Sequence, residues 1–328
     1  MTKLRLATRL LLDWYRTARR DLPWRRTRDP WHILVSEIML QQTRVPVVIP
    51  YYERLLARYP GARELAAAPE PEFLALWSGL GYYARARNLQ RAARIIAGRG
   101  CFPATYEEIR TLPGVGDYTA AAIASICHGL PYAVLDGNVL RVLARAFAEK
   151  GDIGSASVRV RLREQAQRLL DPRRPADFNQ ALMELGATVC TPKSPQCLLC
   201  PWRDHCAARS LGRELELPVK LRRRDPVRLA IQLLIVEKKG QVLLRQRGSA
   251  EPQMAGFWEL PEARLLPSAV PGRLLGSFKH SITRHDYTVE VFSAAAVKAP
   301  RGYRWFAWTE LDSIPLATMS RKAIACRP

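Results

Sequence analysis

Nowhere in its 328 residues does the chain hold a long apolar run. A helix needs about 20 consecutive apolar residues to span a bilayer, so no membrane passage is expected. Acidic residues are scarce too: 30 Asp and Glu stand against 51 Lys and Arg, a formal charge of +21. The imbalance runs through the whole chain, with 36 basic against 22 acidic residues in 1–225 and 15 against 8 in 226–328. Charge of that sign suits a polyanionic partner, nucleic acid first, although an arginine-rich composition raises charge without any ligand. No secretory leader is expected either. "MTKLRLATRLLLDWYRTARR" passes from a short apolar patch straight into Asp13, Arg16, Arg19 and Arg20, with no small-residue cleavage site. The expectation is an amphipathic first helix in a cytoplasmic protein, and no oligomerisation signal argues against a monomer.

Cysteines are few, and four of the seven are clustered. Cys101, Cys127 and Cys326 are scattered and read as ordinary packing residues. "CTPKSPQCLLCPWRDHC" spaces Cys190, Cys197, Cys200 and Cys206 as C-x6-C-x2-C-x5-C. Disulfides are rare in a reducing compartment, which leaves metal ligation by thiolates. Structural zinc usually brings two C-x2-C knuckles, and only one short pair occurs here. The spacing therefore favours a [4Fe–4S] cluster, with zinc as the alternative.

In "WHILVSEIMLQQTR", residues 31–44, apolar side chains wrap almost the whole circumference of a helix around Glu37. A carboxylate buried there is costly unless it is partnered or protonated. Gln41 and Arg44 share its stripe at i+4 and i+7, so a satisfied structural Glu and a functional one both stay open. Further on, "TLPGVGDYTA" (111–120) breaks a helix at Pro113 and turns through Gly114 and Gly116 into a small-residue helix. Such a turn offers backbone N–H groups to a phosphate. "YAVLDGNVLRVLARAF" then sets Asp136 before an apolar-periodic segment, where it reads as an N-cap able to face a ligand.

The hairpin "LPGVG", an Asp twenty residues past its second glycine, and the cysteine loop together resemble the helix-hairpin-helix DNA glycosylases that carry an iron–sulfur cluster. The resemblance covers residues 1–210. Within that superfamily, Tyr118 stands where endonuclease III-type enzymes have a Schiff-base lysine, and Glu37 where they lack an acid. Both positions are similar to the MutY-type adenine DNA glycosylases, as are "LPWR" (22–25), "GLGYYARARNL" (79–89) and "FNQALMELGA" (178–187). The resemblance implies a mainly α helix-hairpin-helix domain that binds duplex DNA carrying an adenine mispair and hydrolyses the adenine N-glycosidic bond. It would work on the bacterial nucleoid. Glu37 would be the general acid toward adenine N7, Asp136 the anion that meets the sugar cation, and Tyr118 and Asn138 their hydrogen-bonding supports. Gln41, Gln42 and Tyr82 would fill or wedge the base stack. Leu112, Gly114, Val115 and Gly116 would form the phosphate-binding hairpin, and Arg26 and Gln180 would frame the adenine. A bifunctional pyrimidine glycosylase and a non-catalytic iron–sulfur DNA sensor are the alternative readings.

"LPVKLRRRDPVR" (217–228) reads as a basic, proline-bounded stretch, and a linker is expected over 211–227. Residues 228–328 turn to short β-branched and aromatic runs, among them "RLAIQLLIV" and "DYTVEVFSAAAV". "MAGFWELPEARLL" resembles the start of a Nudix-like fold, but no glutamate-rich metal helix follows it. A smaller α+β Nudix-like domain without pyrophosphatase activity is expected. In the family this domain checks the base opposite adenine through a Phe-Ser-His element. Aligned on His280, this chain has Ile282, Thr283 and Arg284 there, which leaves Thr283 for a hydroxyl contact and Arg284 for a phosphate.

Overall fold

The computed structural model describes residues 3–221, 225–248, 251, 254–282, 284–295 and 297–327. Thirteen α-helices occur among them: α1 (Lys3–Ala18), α2 (Pro30–Leu40), α3 (Val45–Arg58), α4 (Ala62–Ala67), α5 (Glu70–Trp77), α6 (Ala84–Arg99), α7 (Tyr106–Arg110), α8 (Asp117–His128), α9 (Gly137–Ala146), α10 (Ala156–Leu169), α11 (Pro175–Thr188), α12 (Ala207–Ser210) and α13 (Thr318–Ile324). None is long and apolar enough to cross a membrane. Contacts divide the chain into one compact unit of Met1–Leu56, Pro60–Arg63 and Arg91–Arg222 and a second of Ala57–Tyr59, Glu64–Gln90 and Arg223–Pro328.

In the first unit α8 is the central element. Its stretch Thr119 to Ser125, small residues except for Ile123, is buried because α2 and α11 both pack on it, and short side chains leave room for two neighbours. Asp29 caps α2, accepting from the N–H groups of Trp31 (2.8 Å) and His32 (3.1 Å), and Pro30 starts the helix with its φ already set. The α11–α9 approach depends on Gly186. A Cβ there would lie 2.6 Å from Asn138 Cβ and 3.0 Å from its carbonyl oxygen, atoms that no side-chain rotation moves away. Gly186→Ala is therefore expected to lose about 2 kcal/mol of stability and to displace the start of α9, which thermal melts together with excision rates would register.

Residues 211–221 are less linker-like than the sequence suggested. Leu217 is buried, its carbonyl accepts from Arg145 Nε at 2.9 Å, and the Val219 carbonyl accepts from the Ile153 N–H at 3.0 Å. The proline-bounded, basic composition conceals one apolar anchor that folds this stretch back on the first unit.

The second unit is built on a six-stranded mixed sheet of β1 (Val227–Lys238), β2 (Gln241–Gln246), β3 (Trp258–Glu259), β4 (Pro271–Ile282), β5 (His285–Ala294) and β6 (Tyr303–Ala307). The order is β3-β2-β1-β5-β4, with β6 also paired to β2; β1 and β5 are parallel and the other pairs antiparallel. Leu233 and Ile235 enter one apolar cluster and Leu234 and Val236 another, so the unbroken apolar run of β1 reflects a strand covered on both faces. With α13 against it, this is the α+β architecture expected for the region.

Candidate active site

Glu37 lies in the middle of α2 at 6% exposure, with Val35, Ser36 and Ile38 beside it fully or almost fully buried. Its Oε2 has no hydrogen-bond partner among the described residues. Burial raises its pKa to about 7; the Tyr118 hydroxyl pulls the other way, and the negative charge of Asp136 raises it further. Of the two readings open for Glu37, a fully satisfied structural carboxylate does not fit an oxygen left without a partner. Tyr118, on the first turn of α8, donates from its hydroxyl to Met183 Sδ of α11 at 3.1 Å. Burial, reinforced by the charges of Glu37 and Asp136, holds that hydroxyl well above its ordinary range, so it remains a neutral donor.

Asp136 is the N-cap of α9, as its position before the periodic segment suggested. Its Oδ1 accepts from the Val139 N–H at 2.7 Å and its Oδ2 from Asn138 Nδ2 at 3.0 Å. Burial pushes its pKa up as well, while these donors and the charge of Arg141 pull it down. The helix N-terminus is thus not the whole account of Asp136: specific donors work against its burial. Glu37 lacks such donors on Oε2, so the two carboxyl groups sit in unlike environments.

The donors are anchored in turn. Arg141 gives NH2 to Asn138 Oδ1 (2.9 Å) and the Gly186 carbonyl (2.7 Å), and Nε to the Cys190 carbonyl (2.7 Å). A continuous hydrogen-bonded path thereby joins Asp136 to the first cysteine of the loop. Arg145, itself buried, donates to Cys190 Sγ at 3.3 Å and to the Thr191 and Pro192 carbonyls. Cys190, Cys197 and Cys206 all act electrostatically on Cys200, whose thiol burial pushes up to about 12, so the four sulfurs face a common space. Among the described residues, no three His, Cys, Asp or Glu side chains converge closely enough to hold a single metal ion. Four thiols with mutual electrostatic influence, and Arg145 placed to offset thiolate charge, fit the ligand set of an iron–sulfur cluster.

The remaining sequence candidates divide. Gln41 caps α2 and reaches the Gly114 carbonyl of the hairpin from Nε2 at 3.4 Å, and Gln42 follows with a left-handed φ of +60°. Gly114 also takes a positive φ, +82°, and Gly116 is the N-cap of α8. The side chains of Leu112 and Val115 pack into the core, which leaves the hairpin backbone as the part able to face a phosphate. Arg26 is exposed and paired with Asp21. Its neighbour Arg25, passed over in the sequence, instead lines a cavity of about 110 Å³ with Tyr15, Arg28, Ile126, Asp177 and Gln180. In the second unit Tyr82 is 43% exposed with φ +48°. His280 lies with Nδ1 3.3 Å from Lys322 Nζ, burial and that charge lowering its pKa. Arg284 is exposed at the β4–β5 turn, and Thr283 lies outside the described residues.

Arg25 is fixed by Glu184, the fully buried carboxylate of "MELGA". Glu184 accepts from Arg25 NH2 at 2.7 Å, from Arg20 Nε and NH2 at 2.8 and 2.7 Å, and from the Arg20 N–H at 3.0 Å. Burial raises Glu184, but the hydrogen bonds from Arg20 and Arg25 outweigh it and bring the pKa down to about 2. A depressed carboxylate stabilises fully above its unfolded pKa and loses that contribution as pH falls toward its folded one. Glu184→Gln is accordingly expected to lower stability by about 2 to 3 kcal/mol at pH 7, with the gap to the parent closing between about pH 4.5 and pH 2 in denaturant titrations.

Comparison with known proteins agrees with these features. Residues 35–168 match the HhH-GPD superfamily of base excision DNA repair proteins, and residues 190–206 the iron–sulfur binding domain of endonuclease III. The adenine DNA glycosylase of Mus musculus is 37% identical, covering 95% of this chain and 76% of its own length; that of Homo sapiens is 35% identical, covering 95% and 72%. A thermostable thymine-DNA glycosylase of solved structure is 31% identical over 64% of this chain and 97% of its own, with a TM-score of 0.59. The chain belongs to the adenine DNA glycosylase family of base excision repair, a DNA-binding enzyme whose cysteine loop is an iron–sulfur module.

Proposed function

We propose that this chain hydrolyses the N-glycosidic bond of adenine mispaired with 8-oxoguanine or guanine in duplex DNA, acts as a monomer, and stops at the abasic site. The observation that carries this reading is the pair of neighbouring carboxyl groups in opposite environments: Glu37, buried with an unsatisfied oxygen and a pKa near 7, and Asp136, held by N–H donors. Adenine is a poor leaving anion, and the sugar it leaves becomes cationic. Glu37 keeps a proton near neutral pH and delivers it to adenine N7, which turns the leaving group into a neutral base. Asp136 stabilises the positive charge that develops at the sugar. Tyr118, a neutral hydroxyl beside both, orients Glu37 and supplies no amine for a Schiff base.

The adenine has to leave the duplex first. The cavity lined by Tyr15, Arg25 and Gln180 supports a base pocket, since Gln180 lies one helical turn from Met183, the partner of Tyr118. Tyr82 acts as the wedge that fills the vacated stack, and Gln41 and Gln42 lie at the end of the helix that carries Glu37. The four cysteines would hold a [4Fe–4S] cluster, which supplies structural order to the loop; no step of the reaction runs through it. In a DNA-repair role the chain would work at the chromosome.

Single-turnover product analysis tests the reading on a duplex with adenine opposite 8-oxoguanine, divided between alkali-treated and untreated samples and run beside adenine opposite guanine. Adenine release with strand breaks only after alkali is expected. Breaks without alkali would establish a lyase and overturn the monofunctional assignment. Equal rates on the two duplexes would overturn the preference for 8-oxoguanine.

A further inference from the structure

The segment between α5 and α6, "SGLGYY" (78–83), is held in an uncommon conformation. Gly79 and Gly81 take φ of +106° and +70°, and Tyr82 follows at +48°, a left-handed value that a side chain as large as tyrosine adopts only when its surroundings impose it. Both ends of the segment are pinned within the second unit. Ser78 donates to the Leu316 carbonyl at 3.1 Å and accepts from Arg321 Nε at 3.0 Å, and the buried Tyr83 ring packs on Phe257 with centroids 4.0 Å apart. Only the apex, Leu80 to Tyr82, depends on something else.

Arg85 holds that apex. Arg85 is buried, 7% exposed, and its NH2 donates to the carbonyls of Leu80 at 3.2 Å and Gly81 at 3.3 Å. Its guanidinium lies between two rings, 5.6 Å from the centroid of the fully buried Trp77 and 5.3 Å from that of Tyr82. Trp77 Nε1 donates to the same Gly81 carbonyl at 3.2 Å. Burial lowers the Arg85 pKa only to about 10, so the guanidinium stays charged at neutral pH. A planar fork that binds two carbonyls and stacks between two rings fixes backbone and ring together, which a lysine ammonium cannot do.

We infer that Arg85, seated on Trp77, is a positioning residue for Tyr82: it holds the exposed ring in the orientation that enters the base stack, so that base extrusion does not pay for ordering the loop. The inference rests on the reading of Tyr82 as the wedge. Without Arg85, the left-handed Tyr82 relaxes and the ring samples orientations that do not insert.

The test is a double-mutant cycle on the full-length, cluster-loaded chain with Tyr82→Ala, Arg85→Met and the double variant, plus Arg85→Lys as the milder change should the methionine variant not fold. Each is followed by single-turnover adenine release and by the fluorescence of 2-aminopurine placed beside the base opposite adenine. Arg85→Met is expected to slow release about tenfold on the intact duplex, to suppress the 2-aminopurine rise, and to add nothing to Tyr82→Ala. Arg85→Lys is expected to be slow as well. On a duplex whose adenine faces an abasic-site analogue, where no stacked opposing base has to be displaced, the Arg85 variants are expected to recover most of the parent rate. Additive losses, or the same loss on the abasic-opposed duplex, would overturn the positioning role while leaving the wedge intact. Tyr82→Ala at the parent rate would overturn the wedge reading itself.

Discussion

Glu37→Gln is expected to slow adenine release by about 10³-fold while leaving binding to the mispaired duplex close to that of the parent. Glutamine matches glutamate in shape and cannot give up a proton, so the change removes the acid and little else. The pH dependence follows from the same group. Glu37, with a pKa of about 7, is protonated below that pH, so the single-turnover rate of the parent should fall as pH rises through about 7. The descending limb should vanish in the residual activity of Glu37→Gln. Stability should fall with rising pH as well. Between about pH 4.5 and 7 the folded chain keeps this proton while the unfolded chain releases it, so the folded state loses ground as pH rises, on the order of 3 kcal/mol by pH 8. Glu37→Gln should therefore melt higher than the parent at pH 8 while being nearly inactive. A damaged fold cannot produce that pairing. A variant that is both inactive and less stable at pH 8 would overturn the assignment of Glu37 as a buried, strained acid.

How much of this was legible in the sequence depends on how local each signal is. Seven apolar neighbours within the ten residues 31–40 made the burial of Glu37 readable, because a helix brings them to one segment. The cysteine loop was readable for the same reason, as all four ligands lie within seventeen residues. Asp136 as an N-cap needed only its position ahead of a periodic segment. The ion cluster of Glu184 with Arg20 and Arg25 was not readable: its partners are 164 and 159 residues apart, and each looks like an ordinary surface charge in its own helix or turn. Arg25 was not legible as a cavity residue either, because it looks like Arg26 beside it in sequence and the turn after α1 decides which of them lines the cavity. The grouping of Glu64–Gln90 with the C-terminal sheet was hidden likewise, since it rests on single long-range contacts such as Tyr83 on Phe257.

Asp136→Asn separates the second carboxyl group from its structural role. Asparagine is as good an N-cap as aspartate, so the bond from the Val139 N–H to position 136 should persist. One contact is lost: the new amide nitrogen would face Asn138 Nδ2, a donor against a donor, and Asn138 cannot reverse its amide without giving up the bond from Arg141 to its Oδ1. That costs about 1 kcal/mol, a few degrees of melting temperature, with the cysteine loop still joined to Arg141 through the Cys190 carbonyl. The expected loss of excision is far larger, roughly 10³-fold, because the site no longer offers a negative charge where the sugar becomes positive. Glu37 should respond as well. With the neighbouring charge gone its pKa falls, since Asp136 is one of the groups that raises it, and the descending limb of the rate profile should move to lower pH. A variant that loses excision with an unmoved limb would place Asp136 outside the electrostatic reach of Glu37. One that keeps excision within a few-fold of the parent would show that the cation is stabilised by other groups.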